Sequence, residues 1–196
     1  NNPWTLGGMP VWQKLLASLF QSVTTRTAGF FTVSQAGLTE AGKAVSDMLM
    51  FVGGSSGSTA GGLKTVTLGV VVLAAVGTAR GRSRASVFRH TIPQEKVSQA
   101  MTLFMLMLTL AFAGAALICA CSGCSLSTAL YETVSALATV GLTAGLTATL
   151  TTLPKLLLIV FMFFGRVGIM TISIGFLTAS RAEDRFEYAP ARMLIG

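Results

Sequence analysis

Residues 101–121, MTLFMLMLTLAFAGAALICAC, carry no charged side chain. As a helix rising ~1.5 Å per residue, this run spans ~30 Å, the thickness of a bilayer's hydrocarbon core. A chain that contains it reads first as a membrane protein, and the composition agrees. Of 196 residues only 11% are charged and 52% are hydrophobic, with a mean hydropathy of +0.71. An ordinary soluble domain carries about 25% charged residues.

The net charge of +7 is unevenly placed. Arg80, Arg82, Arg84, Arg89 and Lys96 cluster in one linker, and Arg181, Arg185 and Arg192 in the tail. Both clusters flank apolar segments, the pattern that places linker and tail in the cytoplasm. No stacking aromatics accompany the arginines, which argues against nucleic-acid binding. The chain begins at Asn1 without the basic and apolar regions of a signal peptide, so it is expected to be a piece missing upstream sequence. Cys119, Cys121 and Cys124 are odd in number and crowd one helix end, which suits small packing residues rather than a disulfide framework.

Leaving the basic linker, the 101–121 helix must run outward. The next long apolar run, 154–180, ends at the basic tail and so runs inward. Pro154 suits its first turn. Arg166 near its middle is costly in lipid and must face protein or water. Residues 125–153 lie between two outer ends. SLSTALYETVSAL has helical spacing but is too short to span, and ATVGLTAGLTATLTT is too rich in Gly and Thr for a lipid-facing helix. A short helix that dips in and returns as a loop satisfies both facts, provided protein or a pore surrounds it.

The first half repeats the plan. VWQKLLASLFQSVTT is a short amphipathic helix and RTAGFFT its loop. LTEAGKAVSDMLMFV follows, capped by Thr39 with Glu40 in its first turn. GGSSGSTAGG, residues 53–62, interrupts it before LKTVTLGVVVLAAVGTA resumes. A shift of 112 residues brings Thr27 onto Thr139, Gly29 onto Gly141, Lys43 onto Lys155 and Gly53 onto Gly165, with nine identities over the 27 positions from 27 to 53. This is an internal repeat, and interrupted segments at matching places in repeats point to an ion or substrate site.

The loops suit a dehydrated cation. TAGF and TVGL each put a glycine where the chain can take a positive φ. Each follows a short helix whose partly negative C-terminal end points into the membrane. Backbone carbonyls there can replace a hydration shell, the logic of potassium-selective filters. Two ordinary outer turns are the plainer alternative. Arg26, Asp47 and Glu132 are expected at helix ends or on buried faces, capping or pairing, without direct ion contact.

The motifs SVTTRTAGF, FVGGSSGSTAGGLKT, SALATVGL and FFGRVG, in this order, resemble the Trk/Ktr/HKT superfamily of potassium transporters over essentially the whole chain. The resemblance implies an all-α integral membrane protein of M1–P–M2 pore repeats, with re-entrant pore helices and a broken M2 helix. Residues 1–80 would be a third repeat lacking its first helix, 81–100 a cytoplasmic linker, 101–180 a complete fourth repeat, and 181–196 a cytoplasmic tail. It carries the filter over to Thr27, Ala28, Gly29 and Phe30, and to Thr139, Val140, Gly141 and Leu142. It makes Gly53, Gly54, Ser55, Ser56, Gly57, Ser58, Thr59, Ala60, Gly61 and Gly62 an intramembrane gating loop. Arg166 would approach that loop, as a tether of the gate or as a brace between helices. Lys64 would either snorkel toward the cytoplasm or add positive charge below the gate.

The function so implied is potassium uptake across the plasma membrane without covalent chemistry, the ion being substrate and sodium a candidate coupling ion; no cofactor is implied. A sodium-permeable or Trk-type transporter is the alternative within the superfamily. The resemblance further implies a homodimer with a cytoplasmic ring of nucleotide-binding regulatory subunits, and the ending ARMLIG resembles bacterial Ktr-type membrane subunits. Outside the superfamily, GGSSG satisfies G-x-S-x-G with Ser55 as nucleophile of an intramembrane hydrolase. His90, the one histidine, sits in the basic linker away from it, and the strand–turn–helix setting is missing. Gly57 and Gly62 have P-loop spacing, but Leu63 intervenes before Lys64 and Thr65, so that motif fails.

Overall fold

The computed structural model describes residues 5–55, 60–81, 86–87 and 90–167. The lower part of the 154–180 run, the 181–196 tail and the arginines at 82, 84, 89, 181, 185 and 192 lie outside them, as do Ser56, Gly57, Ser58 and Thr59 of the expected gating loop. The described chain is helical. Helix α1 spans Val11–Thr24, α2 Glu40–Phe51 and α3 Thr65–Ala79. A two-stranded antiparallel hairpin, β1 Ser86–Val87 with β2 His90–Thr91, precedes α4, Gln94–Ser122. Then come α5 Leu126–Leu137, the single turn α6 Leu146–Thr149, and α7 Thr152–Val167.

Local chemistry explains the boundaries. Thr39 Oγ1 accepts a hydrogen bond from the Gly42 amide at 3.1 Å and starts α2. Ser125 Oγ accepts from the Thr128 amide at 3.4 Å and starts α5. Gly123, at φ +62°, ends α4 in the left-handed conformation that other residues resist. Helix α4 begins ahead of its uncharged run because Pro93 caps a polar first turn tied together by Gln99 and Glu95 at 3.1 Å. It is the one described helix long and apolar enough to cross a membrane. The hairpin and the turn α6 fall where the sequence suggested only linker and loop.

Helix α5 occupies the centre, packed against α2, α4 and α7. Tyr131, Ile118, Leu137, Met50 and Phe161 belong to one buried cluster around it. Gly114 on α4 admits the Phe161 ring, which a Cβ there would strike. Thr133 is fully buried, its hydroxyl donating to the Ala129 carbonyl at 3.0 Å. The outward faces are apolar: Met101, Met105, Phe112 and Leu117 on α4 are exposed, as are Val11, Leu15 and Leu19 on α1. So much exposed apolar surface is foreign to a water-soluble monomer.

The break between α2 and α3 is a closed excursion. The Gly53 amide donates to the Leu63 carbonyl at 2.8 Å, the Leu63 amide to Phe51 at 3.1 Å, and the Thr65 amide to Gly54 at 3.3 Å. Val52 and Leu63 thereby form a parallel bridge. The chain leaves α2, loops out, and returns beside its own exit before α3 starts.

Candidate functional site

The two glycine loops share one pattern of positive φ. Thr27 and Gly29 stand at φ +67° and +75°, Thr139 and Gly141 at +55° and +88°. Among the described non-glycine residues only these two threonines have positive φ, so Ala28 and Val140 between them do not. The sequence pointed to positive φ at the glycines and gave no sign of it at the threonines. A β-branched residue in this region is an outlier, costing on the order of 1–3 kcal/mol, and such strain collects at functional sites.

Alternating the sign of φ puts successive N–H groups on one side of the chain and carbonyls on the other. The N–H side faces the preceding helix. Ala28 and Gly29 donate to the Thr24 carbonyl at 3.2 and 3.3 Å, and Val140 donates to Ser135 at 2.9 Å. Of the carbonyls on the other side, that of Val140 faces Gly29 of the first loop. The fourth positions behave differently. The Thr24 hydroxyl donates to the Phe30 carbonyl, and the Ser135 hydroxyl to the Leu142 carbonyl at 2.6 Å. Phe30 and Leu142 anchor their loops to the helices behind them.

The fold brings the loops together. A Cβ on Gly29 would run into the Val140 carbonyl, whereas Gly141 has open space around its Cβ position. Ala28 and Phe30 are exposed, while Val140 and Leu142 are buried at 4% and 2% exposure. The first loop is one side of a surface whose other side the second loop fills.

Buried polar groups brace each loop from outside. Gln21 and Gln35 exchange amide hydrogen bonds at 2.8 and 3.0 Å, Gln35 also donates to the Val33 carbonyl at 2.8 Å, and Tyr131 donates to Gln35 at 2.7 Å. That network ties the first loop to α1 and to α5 of the other repeat. Glu132 braces the second loop. Its carboxylate accepts from the Thr143 hydroxyl at 2.6 Å, the Ala144 amide at 3.0 Å and the Thr147 hydroxyl at 2.6 Å. These partners are two hydroxyls and an amide on the segment that leaves the second loop. Nothing in the sequence pairs residues so far apart. Arg26 is exposed at the end of α1.

Gly61 and Gly62, where the chain returns toward α3, meet the start of the second loop. The Gly61 amide donates to Thr139 Oγ1 at 3.1 Å, and a Cβ on Gly61 would strike that side chain. A Cβ on Gly53 would strike the Gly61 carbonyl, and one on Gly165 the Leu137 carbonyl. Gly53 and Gly165 are matching positions of the repeat, each at a close backbone approach. Gly54 and Ala60 flank the described ends of the excursion, Ser55 is exposed, and Gly62 stands at φ +75° over Ala138. Arg166 lines a cleft of about 420 Å³ together with Glu132, Ser135, Thr139, Gly141 and Thr147. Lys64, half-buried, holds the N-cap position of α3.

The remaining candidates are separated from this cleft. Ser55 precedes α3 and His90 follows it, with a helix ~22 Å long between. The Cys119 and Cys124 sulfurs touch at 3.9 Å, and burial and the Cys119 thiol push the Cys124 thiol up. Among the described residues no group of three or more His, Cys, Asp or Glu could hold a metal ion.

Comparison with known proteins is consistent across sequence and structure. The family described as TrkH, cation transport protein, matches residues 5–187. The chain is 39% identical to the potassium/sodium uptake protein NtpJ of Enterococcus hirae, over 94% of this chain and 42% of that protein. It is 36% identical to the Ktr system potassium uptake protein B of Bacillus subtilis, over 95% of this chain and 42% of that one. It thus spans less than half the length of these bacterial relatives. The crystal structure of the potassium transporter TrkH from Vibrio parahaemolyticus superposes with a TM-score of 0.70 at 24% identity, covering 86% of this chain and 38% of that one.

Proposed function

The chain belongs to the TrkH family of cation transport proteins, and from that premise we propose that it supplies two of the carbonyl loops of a potassium-conducting pore. The family is one of membrane transporters, not enzymes. The observation that carries the reading is the positive φ shared by Thr27 and Gly29 with Thr139 and Gly141, in loops that meet at Gly29 and Val140. Carbonyls directed from both loops into one space can hold a cation that has shed its water. Thr27, Ala28, Gly29, Thr139, Val140 and Gly141 present them; Phe30 and Leu142 fix the ends.

In this reading α1 and α5 are re-entrant pore helices. Helix α4 is an M1 crossing, α2 with α3 a broken M2, and α7 the start of the second M2. The linker and tail are cytoplasmic, in the plasma membrane. Gly53–Gly62 is the gate, and its Gly61 amide is tied to the side chain of Thr139 in the filter. Arg166, on the wall of the same cleft, holds positive charge where a potassium ion must pass, so Arg166→Ala in the full-length protein should raise flux. Unchanged flux at normal expression would remove the gate role. Lys64 at the start of α3 adds charge on the exit side. The name of the Bacillus relative, a Ktr system protein, supports membership of such a system; the homodimer and the ring of nucleotide-binding regulatory subunits are what the superfamily resemblance implies.

The test is ion preference. Full-length protein reconstituted in proteoliposomes should pass potassium well ahead of sodium, and Gly141→Ser should erase that preference. The name of the Enterococcus relative favours measuring sodium in the same assay, since a sodium-permeable transporter would show little preference from the outset. Preference retained by Gly141→Ser would contradict the assignment of the loop.

A further inference from the structure

Glu132 is 3% exposed in the middle of α5, and both its carboxylate oxygens are engaged. Oε1 takes the Thr143 hydroxyl at 2.6 Å and the Ala144 amide at 3.0 Å; Oε2 takes the Thr147 hydroxyl at 2.6 Å. All three donors lie on the segment that leaves the 139–142 loop. Thr143 also accepts from the Gly145 amide at 3.0 Å, so the bonded residues close into one compact turn. One turn along α5, Ser135 holds the Leu142 carbonyl at 2.6 Å. Two successive turns of a single helix therefore fix where the loop ends and how its outgoing chain is drawn back.

The repeat makes the arrangement more informative. The position matching Glu132 is Phe20, and Gln35, which matches Thr147, is held by the neutral amide of Gln21 and by the Tyr131 hydroxyl. The first loop is braced by neutral groups and the second by a carboxylate. Charge-assisted bonds are shorter and roughly twice as strong as neutral ones. The second loop is thus the more stiffly held.

We propose that Glu132 is a positioning residue that sets ion selectivity, fixing the separation of the 139–141 carbonyls from the facing loop without itself touching the ion. The proposal rests on the reading of these loops as a filter. A stiffly held ring refuses to contract around a smaller cation. Removing the clamp lets it contract, so sodium gains relative to potassium while total flux persists.

The experiment measures potassium and sodium fluxes of the full-length protein in proteoliposomes, with Gly141→Ser as reference. Glu132→Gln keeps the shape but loses the charge, and should lower the potassium-to-sodium ratio by roughly fivefold. Glu132→Ala should lower it further. Thr147→Val, which removes one bond from the loop side, should give a smaller loss and add little to Glu132→Ala. A merely structural role would lower expression or total flux and leave the ratio unmoved. If Gly141→Ser loses preference while Thr147→Val and every assembled Glu132 variant keep it, the clamp is overturned and the filter stands. If the wild type shows no preference, there is no selectivity for the clamp to set and the proposal is overturned; if Gly141→Ser keeps the wild-type preference, the filter reading itself fails.

Discussion

The two threonines at positive φ are the residues that say most about the site. Thr27 and Thr139 accept a conformation that a glycine would take freely, and they do so at matching places of the repeat. Their neighbours differ in what surrounds them, which gives a clean contrast. Gly29→Ala meets both an unfavourable φ and the Val140 carbonyl, so it should destabilise by about 3 kcal/mol or more. Gly141→Ala meets only the unfavourable φ and should cost about 1–2 kcal/mol. Thermal unfolding of the full-length protein in detergent checks the order. The glycines were legible in the sequence because glycine is the usual carrier of positive φ. The threonines were not, because only the backbone on either side forces them there.

At the scale of elements, the contact of Gly61 with the second loop turns on one hydroxyl. Thr139→Val keeps the shape of the side chain but leaves the Gly61 amide without its acceptor. The excursion should loosen at a cost of about 1–3 kcal/mol, seen as faster hydrogen exchange at Gly61, while Thr139→Ser should retain protection. Helix starts were legible where a side-chain cap is local, at Thr39 and Ser125; Pro154 lies in the first turn of α7 as expected, though the helix starts at Thr152. The start of α4 was not, since a polar turn at Gln94–Gln99 extends the apolar run and hydropathy alone does not register it. The partners of Glu132 and Gln35 were equally hidden. They depend on how the loops fold back, and a linear pattern carries no record of that.

At the scale of the molecule, the chain shows a core centred on α5 and a surface left apolar. Val11, Leu15 and Leu19 on α1, and Phe30 and Phe31 beside the first loop, are all exposed. In the proposed pore these faces meet the rest of the full-length protein and the lipid. The general plan was legible because a 112-residue repeat with matched Gly, Thr and Lys survives in the sequence. What the repeat concealed is its asymmetry. Lys43 is buried and paired with Glu40 at 3.2 Å, while its mate Lys155 is exposed. Likewise a neutral brace backs one loop and a carboxylate the other. Equal sequence positions carry unequal loads because α5 is central and α1 is peripheral.

The central claim is that the Thr27–Gly29 and Thr139–Gly141 carbonyls hold the transported ion. It is tested most directly by a structure of the full-length protein soaked in rubidium or thallium, with anomalous scattering locating the cation. The account predicts a peak within about 3 Å of carbonyl oxygens from both loops. A cation bound elsewhere along the path, with these carbonyls turned away from it, would contradict the account.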